Sequence, residues 1–413
     1  MRKSIVSVLA AGVALSLAAC GGTGSTPAAA PSSAAATTAA AAPADAGTLT
    51  IWTDETRVDA FKELGAEFKK ESGVTLDVVQ KPTADVKTDF ISQAPTGQGP
   101  DLIVGAHDWT GDLVKNGVIA PVELGDKVDG LSDVAKAAFM NGGQLYGVPY
   151  AIENIALVRN NAIVKDTPAT FDDLVKQAKG TGKEFPVLIQ QGENGDAYHL
   201  YPLQTSFGAP VFKSDAAGEY SNELGMAGAE GEAFATYLKK LAGEGVLNAS
   251  IGGDQAKQAF TDGKSPYMIT GPWNTAEWTK AGMDISVLPV PSAGGKPSAP
   301  FLGVQGVYLS AKSQNALLAN QFLDYVASDD AQAKLFELGG RTPASTKAAA
   351  GIDDKILAGF AEAGKDGQPM PAIPEMAEVW AFWGSTEVSI ISGKAADPVA
   401  AWKQMNENIK SKF

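Results

Sequence analysis

From residue 49 onward, short apolar runs alternate with amphipathic ones. Leu49-Thr-Ile-Trp52 reads as a strand and Thr53-Asp-Glu-Thr-Arg57 as a polar turn into a helix, which places Val58, Phe61, Leu64 and Phe68 at spacings of three and four and stops at Gly73. Residues 74–79 form the next strand, a second helix spans 85–94, and Gly97-Gln-Gly-Pro100 turns into a third strand at 101–104. This β-α-β-α-β order predicts a mostly parallel sheet with helices on both faces. Further on, residues 147–159 are one long, mostly apolar extended run. Helices follow at 171–179, 225–241 and 256–260, and strands at 186–189, 266–270, 285–290 and 301–310, the last after a Pro/Gly/Ser loop at 291–300. From Asn315 the pattern is almost all helical, with a break at Arg341-Thr-Pro343.

A second signal lies near the end. Pro371 and Pro374 cannot continue a helix but suit the start of one, so a helix is expected over 375–391. Met376, Trp380 and Trp383 then share a face just inside it. Spacing alone favours a core stripe; the alternative makes one indole a flat wall of a binding cleft.

The N-terminus changes the picture of where the chain works. Arg2 and Lys3 precede an apolar run too short to cross a bilayer, and Leu17-Ala-Ala-Cys20-Gly closes it with small residues. Residues 1–20 resemble a lipoprotein signal peptide, which implies cleavage before Cys20, its lipidation, and tethering to the extracytoplasmic face of the membrane. Cys20 is the only cysteine, so the mature chain forms no internal disulfide. Residues 21–47 are almost entirely Ala, Ser, Thr, Pro and Gly and predict a disordered linker reaching about 30 Å. No later segment is apolar for long enough to span a bilayer, so contact with the membrane is through the anchor only. The remaining roughly 365 residues suit two domains rather than one. A net charge of −14 with no basic cluster argues against nucleic acid as a partner.

Catalytic and metal signatures are absent from the sequence: two distant histidines, no His-Glu-x-x-His, no Gly-x-Ser-x-Gly and no phosphate loop. No cofactor or metal is expected. Binding chemistry is better represented, since polar and aromatic side chains recur where strands end, the place where open α/β sheets hold ligands. Asp108 and Trp109 follow the third strand, Asp54, Glu55 and Arg57 follow the first, and Trp273 follows the strand at 266–270. Glu153 sits inside an apolar run, where an ionised carboxylate needs a hydrogen-bonding partner or a wet cleft. Carboxylates beside exposed indoles suit a sugar, whose C–H face packs on an aromatic ring while its hydroxyls donate to fixed oxygens.

At these residues the chain resembles a known family. Leu49-Thr-Ile-Trp52, Phe68-Lys-Lys-Glu-Ser-Gly-Val74, Gly99-Pro-Asp-Leu-Ile103, Ala106-His-Asp108, Gly147-Val-Pro-Tyr-Ala-Ile-Glu153, Gly271-Pro-Trp273 and Met370-Pro-Ala-Ile-Pro-Glu-Met376 are similar, in the same order, to the maltose/maltodextrin-binding proteins of ABC importers. The resemblance implies an α/β, two-lobed periplasmic-binding-protein-like fold, each lobe a mostly parallel sheet flanked by helices and joined to the other by a hinge. Lobe 1 would comprise 48–152 and 303–341, and lobe 2 would comprise 153–302 and 342–413. It implies a monomer that closes on a malto-oligosaccharide or related glucan and delivers it to membrane permease subunits.

Position by position, the resemblance implies that Asp108 binds sugar hydroxyls and that Glu153 is the carboxylate at the hinge. It makes Trp273 and Trp380 stacking aromatics. Asp196 and Tyr198 match a Glu-Pro-Tyr trio with Ala197 in place of the proline, and Asp54, Glu55 and Arg57 cover a polar trio. Trp109 and Trp383 complete the candidate set. There are departures: Trp109 stands where an arginine is frequent, Gly105 and Gly384 where the enteric proteins carry a tryptophan and an arginine. The alternative from another class is an extracellular glycoside hydrolase using two of Asp54, Asp108, Glu153 and Asp196, since that chemistry needs two carboxyls about 5–9 Å apart.

Overall fold

The computed structural model describes residues 46–215 and 220–413. The signal peptide, the lipidation of Cys20 and all of the expected linker except Ala46 and Gly47 lie outside the described residues. In chain order, the elements that matter here are β1 (Gly47–Thr53), α1 (Val58–Ser72), β2 (Val74–Gln80), α2 (Thr83–Gln93), β3 (Leu102–Ala106), β4 (Gly147–Glu153), β5 (Ala156–Asn160) and α3 (Ala197–Ser206). They continue with β6 (Tyr267–Thr270), α4 (Pro272–Lys280), β7 (Ile285–Leu288), β8 (Phe301–Ser310), α5 (Asp329–Gly339), β9 (Thr342–Pro343), α6 (Lys355–Gly364) and α7 (Met376–Ile391).

α1 buries the four residues that its spacing selects, Val58, Phe61, Leu64 and Phe68, and ends at Gly73 in the left-handed region (φ 77°) with its N–H on the Lys69 carbonyl. The larger sheet runs β9-β4-β8-β3-β1-β2. β1 is parallel to β2 and β3, as strand–helix alternation predicts. β8, β4 and β9 then enter antiparallel, so pairing directions are more mixed than expected. The smaller sheet, β6-β5-β7, is antiparallel throughout.

Several local expectations change for physical reasons. The apolar run at 147–159 is two strands in different sheets, separated at Asn154-Ile155. Both are buried, and periodicity is blind to such a switch. Of the strand expected at 186–189, pairing survives only as a bridge from Leu188 to Met268. The helix expected from 225 begins at Ala229. α3 carries no amphipathic stripe because it is buried nearly all round, and α4 is hidden by starting directly on Gly271-Pro272.

The apolar side chains segregate. One core draws on residues 49–151 and 304–344. Two adjoining clusters draw on 155–301 and 360–409. The chain therefore passes between cores at the β4–β5 junction, near the start of β8, and after β9. Among the described residues, no helix is long and apolar enough to cross a membrane.

Asn154, buried at the β4–β5 junction, donates to the carbonyls of Ile155 (3.2 Å) and Phe360 in α6 (3.0 Å). Asn154→Ala leaves the Phe360 carbonyl buried without that donor and should cost about 1–3 kcal/mol in urea unfolding. An unchanged midpoint would assign the junction's rigidity elsewhere.

Candidate functional site

The site is assembled from the carboxyl ends of β1, β3 and β4 and the amino-terminal turns of α3, α4 and α7. After β1, the turn residue Asp54 accepts from the Thr56 N–H (2.8 Å) and hydroxyl (2.7 Å) and is ion-paired with Arg57. Burial alone would raise the Asp54 carboxyl. The Arg57 guanidinium and the Thr56 bonds outweigh burial and hold it below the usual carboxylate range. Arg57 also faces Glu153 Oε1 at 3.5 Å. Glu55 points elsewhere: it is exposed and accepts from the N–H (3.2 Å) and hydroxyl (2.8 Å) of Thr83, at the start of α2.

Glu153, at the end of β4, is buried under donors. Gln305 of β8 donates to Oε1 at 2.6 Å, and Arg341 Nε donates to Oε2 at 2.6 Å. Arg341 also donates from Nη2 to the Thr56 hydroxyl (3.0 Å), and its guanidinium carbon lies 5.7 Å from the centre of the Trp273 ring. Glu153 is thus an ion-pair anchor with both oxygens engaged.

After β3, His107 is fully buried, and its tautomer follows from its neighbours. The Val304 N–H donates to Nδ1 (3.1 Å), so Nε2 carries the proton given to the Met370 carbonyl (2.9 Å). Burial lowers the pKa of this imidazole. Asp108 takes the Trp380 indole N–H on Oδ2 (3.0 Å), while its Oδ1 is buried without a partner among the described residues. The Trp109 ring lies against Gly105, where an added Cβ would come within 2.2 Å of it. Position 109 thus fills, from one helical turn on, the space over position 105.

Asp196 caps α3. Its Oδ1 accepts from the His199 N–H (3.1 Å) and Nδ1 (2.8 Å), and its Oδ2 accepts from Gln190 (2.6 Å). Tyr198 lies nearly parallel to Phe301 at 6.3 Å. Its hydroxyl pKa is raised well above the ordinary value, by burial first and then by the surrounding carboxylates Glu153, Asp196 and Asp108. Trp273, in the first turn of α4, meets His199 edge-on at 6.0 Å and remains partly exposed. Trp380, also partly exposed, stacks on Trp383 at 5.4 Å.

Contacts therefore link Asp54, Arg57, Glu153, Arg341, Trp273, His199 and Asp196 in one chain. Asp108 and Trp380 join each other across 272 residues. Glu55 stands apart. Trp383 is corrected to core: it is 0 % exposed and donates to Gln204 (3.1 Å). The stripe Met376, Trp380 and Trp383 spans about two turns of α7, and of the three only Trp380 is partly exposed. Periodicity missed Arg341, Gln305 and His199, whose partners include groups 152 to 188 residues distant in two cases. The one sequence hint was an arginine directly after Gly-Gly at the break in the helical tail.

One turn beyond Trp383, Glu387 is 0 % exposed, and neither of its oxygens has a well-formed hydrogen bond among the described residues, the Trp383 indole alone approaching as a donor. Burial, then the nearby Asp196 carboxylate, pushes its carboxyl well above the ordinary range. Above the unfolded pKa the native chain keeps a proton that the unfolded chain has released, so stability falls as pH rises towards the native value. Glu387→Gln should remove that slope: between about pH 5 and pH 8 its melting temperature should fall less than that of the wild type. Parallel melting curves would place a compensating partner beside Glu387.

Residues 63–363 match the family described as bacterial extracellular solute-binding protein. Over its full length the chain is 28 % identical to a galactooligosaccharide-binding protein of Bacillus subtilis (strain 168), covering 97 % of that protein. It is also 28 % identical to a maltodextrin-binding protein of the same organism, over 88 % of this chain and 91 % of the relative. Among solved structures, the Thermus thermophilus maltotriose binding protein bound with maltotriose superposes with a TM-score of 0.82 at 32 % identity, covering 88 % of this chain and 99 % of that one. The α/β fold is thus the two-lobed fold of the periplasmic binding proteins.

Proposed function

The chain belongs to the bacterial extracellular solute-binding proteins, and from that premise we infer that it captures malto-oligosaccharides in an inter-lobe cleft for an ABC sugar importer. Asp108 carries the reading. One of its oxygens holds the Trp380 indole, and the other is a buried acceptor with no donor among the described residues. An unpaired buried acceptor costs about 1–3 kcal/mol, which a sugar hydroxyl would recover. The partly exposed indoles of Trp273 and Trp380 supply faces for the sugar's C–H surface. Tyr198 lies in the field of Glu153, Asp196 and Asp108, Trp109 directly follows Asp108 in the chain, and Asp54, Arg57, Glu153 and Asp196 hold the region in shape. The maltodextrin- and maltotriose-binding relatives support this ligand class.

The lobes are 48–152 with 303–341 and 153–302 with 342–413; the partition of the hydrophobic cores supports this division except at 342–344, where β9 pairs with β4 and Ala344 joins the first core. The protein works as a monomer, anchored through a lipid on Cys20, and hands its sugar to permease subunits; a relative in Streptococcus pneumoniae is described as a maltooligosaccharide ABC transporter solute-binding lipoprotein. The full-length match to the galactooligosaccharide-binding protein favours a second reading, a galacto-oligosaccharide in the same cleft. The hydrolase alternative has no support: the relatives are binding proteins, and the Asp54 carboxyl is held low, opposite to the need of a general acid.

Calorimetric titration with maltose, maltotriose and a galacto-oligosaccharide tests the reading. Maltotriose should bind tightest and be recovered intact; tighter galacto-oligosaccharide binding selects the second reading, and release of glucose would restore the hydrolase. Trp273→Ala and Trp380→Ala should each weaken maltotriose by about tenfold with the chain still folded. Trp383→Ala, by contrast, should cost about 3–5 kcal/mol of stability.

A further inference from the structure

Arg341 follows a turn that α4 helps to shape. α5 ends at Gly340 in the left-handed region (φ 67°), with its N–H on the Phe336 carbonyl at 2.7 Å. A Cβ at Gly340 would come within 2.9 Å of Ala276 and 3.3 Å of the Pro272 carbonyl, both in the helix that carries Trp273. The turn and the first turns of α4 are therefore packed backbone to helix. Arg341, a residue 4 % exposed, has its guanidinium held on two sides, by Glu153 Oε2 (2.6 Å) and the Thr56 hydroxyl (3.0 Å). Asp54 and Tyr150 also lie within its field, and the Trp273 ring is 5.7 Å away, within the range where an arginine is attracted to an aromatic face. A planar cation fixed by two anchors has little freedom to follow the ring, so the ring follows the cation.

We propose that Arg341 is a positioning residue for the sugar-stacking face of Trp273, carrying the orientation imposed by the hinge carboxylate Glu153 to the wall of the cleft. The proposal rests on the sugar-binding reading above. Arg341 touches no sugar. It sets the angle at which the indole meets one, and so connects the ion pair between the cores to affinity. His199 completes the seating, with its ring edge on the same indole at 6.0 Å and its Nδ1 on Asp196.

The test is a double-mutant cycle between Arg341 and Trp273, read by maltotriose titration and by near-ultraviolet circular dichroism of the full chain. Wild-type protein must first bind maltotriose; if it does not, the sugar reading fails and the positioning role falls with it. Given binding, Arg341→Met should weaken affinity about fivefold or more and abolish most of the dichroic band that Trp273→Ala removes. In the Trp273→Ala background the same substitution should change affinity by less than about twofold. Equal losses in the two backgrounds, or an unaltered Trp273 band, would overturn the proposal while leaving sugar binding in place. Arg341→Met leaves Glu153 with Arg57 as its remaining cation. Should that variant fold poorly, the comparison is made between Glu153→Gln and Glu153→Gln/Arg341→Met. There the affinity and dichroic losses should persist if Arg341 seats the indole, and should vanish if it serves only to neutralise Glu153.

Discussion

The buried carboxylate of Glu153 is the constraint around which the rest of the cleft is arranged. An ionised group taken out of water costs several kcal/mol unless its oxygens are met by donors, and here Arg341, Gln305 and Arg57 meet them. Those donors come from the turn after α5, from β8 and from the turn after β1. Satisfying one charge therefore draws together three segments distant in sequence. It does so at the end of β4, two residues before the chain leaves the first core for the second. The same charge thus organises the place where the backbone crosses between cores.

That arrangement divides the labour among the cleft carboxylates. Asp54 is occupied by Arg57 and Thr56, Glu153 by its two arginines and Gln305, and Asp196 by His199 and Gln190. Groups whose lone pairs are engaged give shape and field, whereas Asp108 retains a buried oxygen for an incoming donor. The aromatic side chains are divided in the same way. Trp383 and Trp402 spend their indole N–H groups inside the core, on Gln204 and the Met226 carbonyl. Trp380 reaches across to Asp108, and Trp273 rests between His199 and Arg341. A ring at the rim of a core has one side stabilised by packing and another left for a ligand.

Trp109 illustrates how a cleft keeps an aromatic surface while its sequence shifts. Its ring fills the space above Gly105 that a side chain at position 105 would otherwise occupy. Either position can deliver a ring to that space, but not both, because close packing leaves no room for two. Similarly, the backbone at Gly195 approaches Gly384 of α7 so closely that a Cβ on Gly195 would sit 2.0 Å from the Gly384 carbonyl oxygen. This approach seats the cap of α3, with Asp196 and His199, directly against the helix that carries Trp380.

Local chemistry determined much of this protein. The spacing of Val58, Phe61, Leu64 and Phe68 with Gly73 after them is a helix and its stop whatever surrounds it, and alternation with short apolar runs makes the fold α/β. Polar and aromatic residues at strand ends marked Asp54, Asp108 and Trp273, because a strand end is where a side chain can face a crevice, and a charge inside an apolar run marked Glu153. Tertiary structure alone decided the rest. Whether the run at 147–159 is one strand or two depends on which sheet offers each half a partner. Whether Trp380 or Trp383 faces the cleft depends on a rotation of α7 that packing against Phe301 and Gln204 sets. The roles of Arg341 and His199 were not legible because hydrogen bonds and ring contacts depend on distance in space, and in the chain Arg341 lies 188 residues from Glu153.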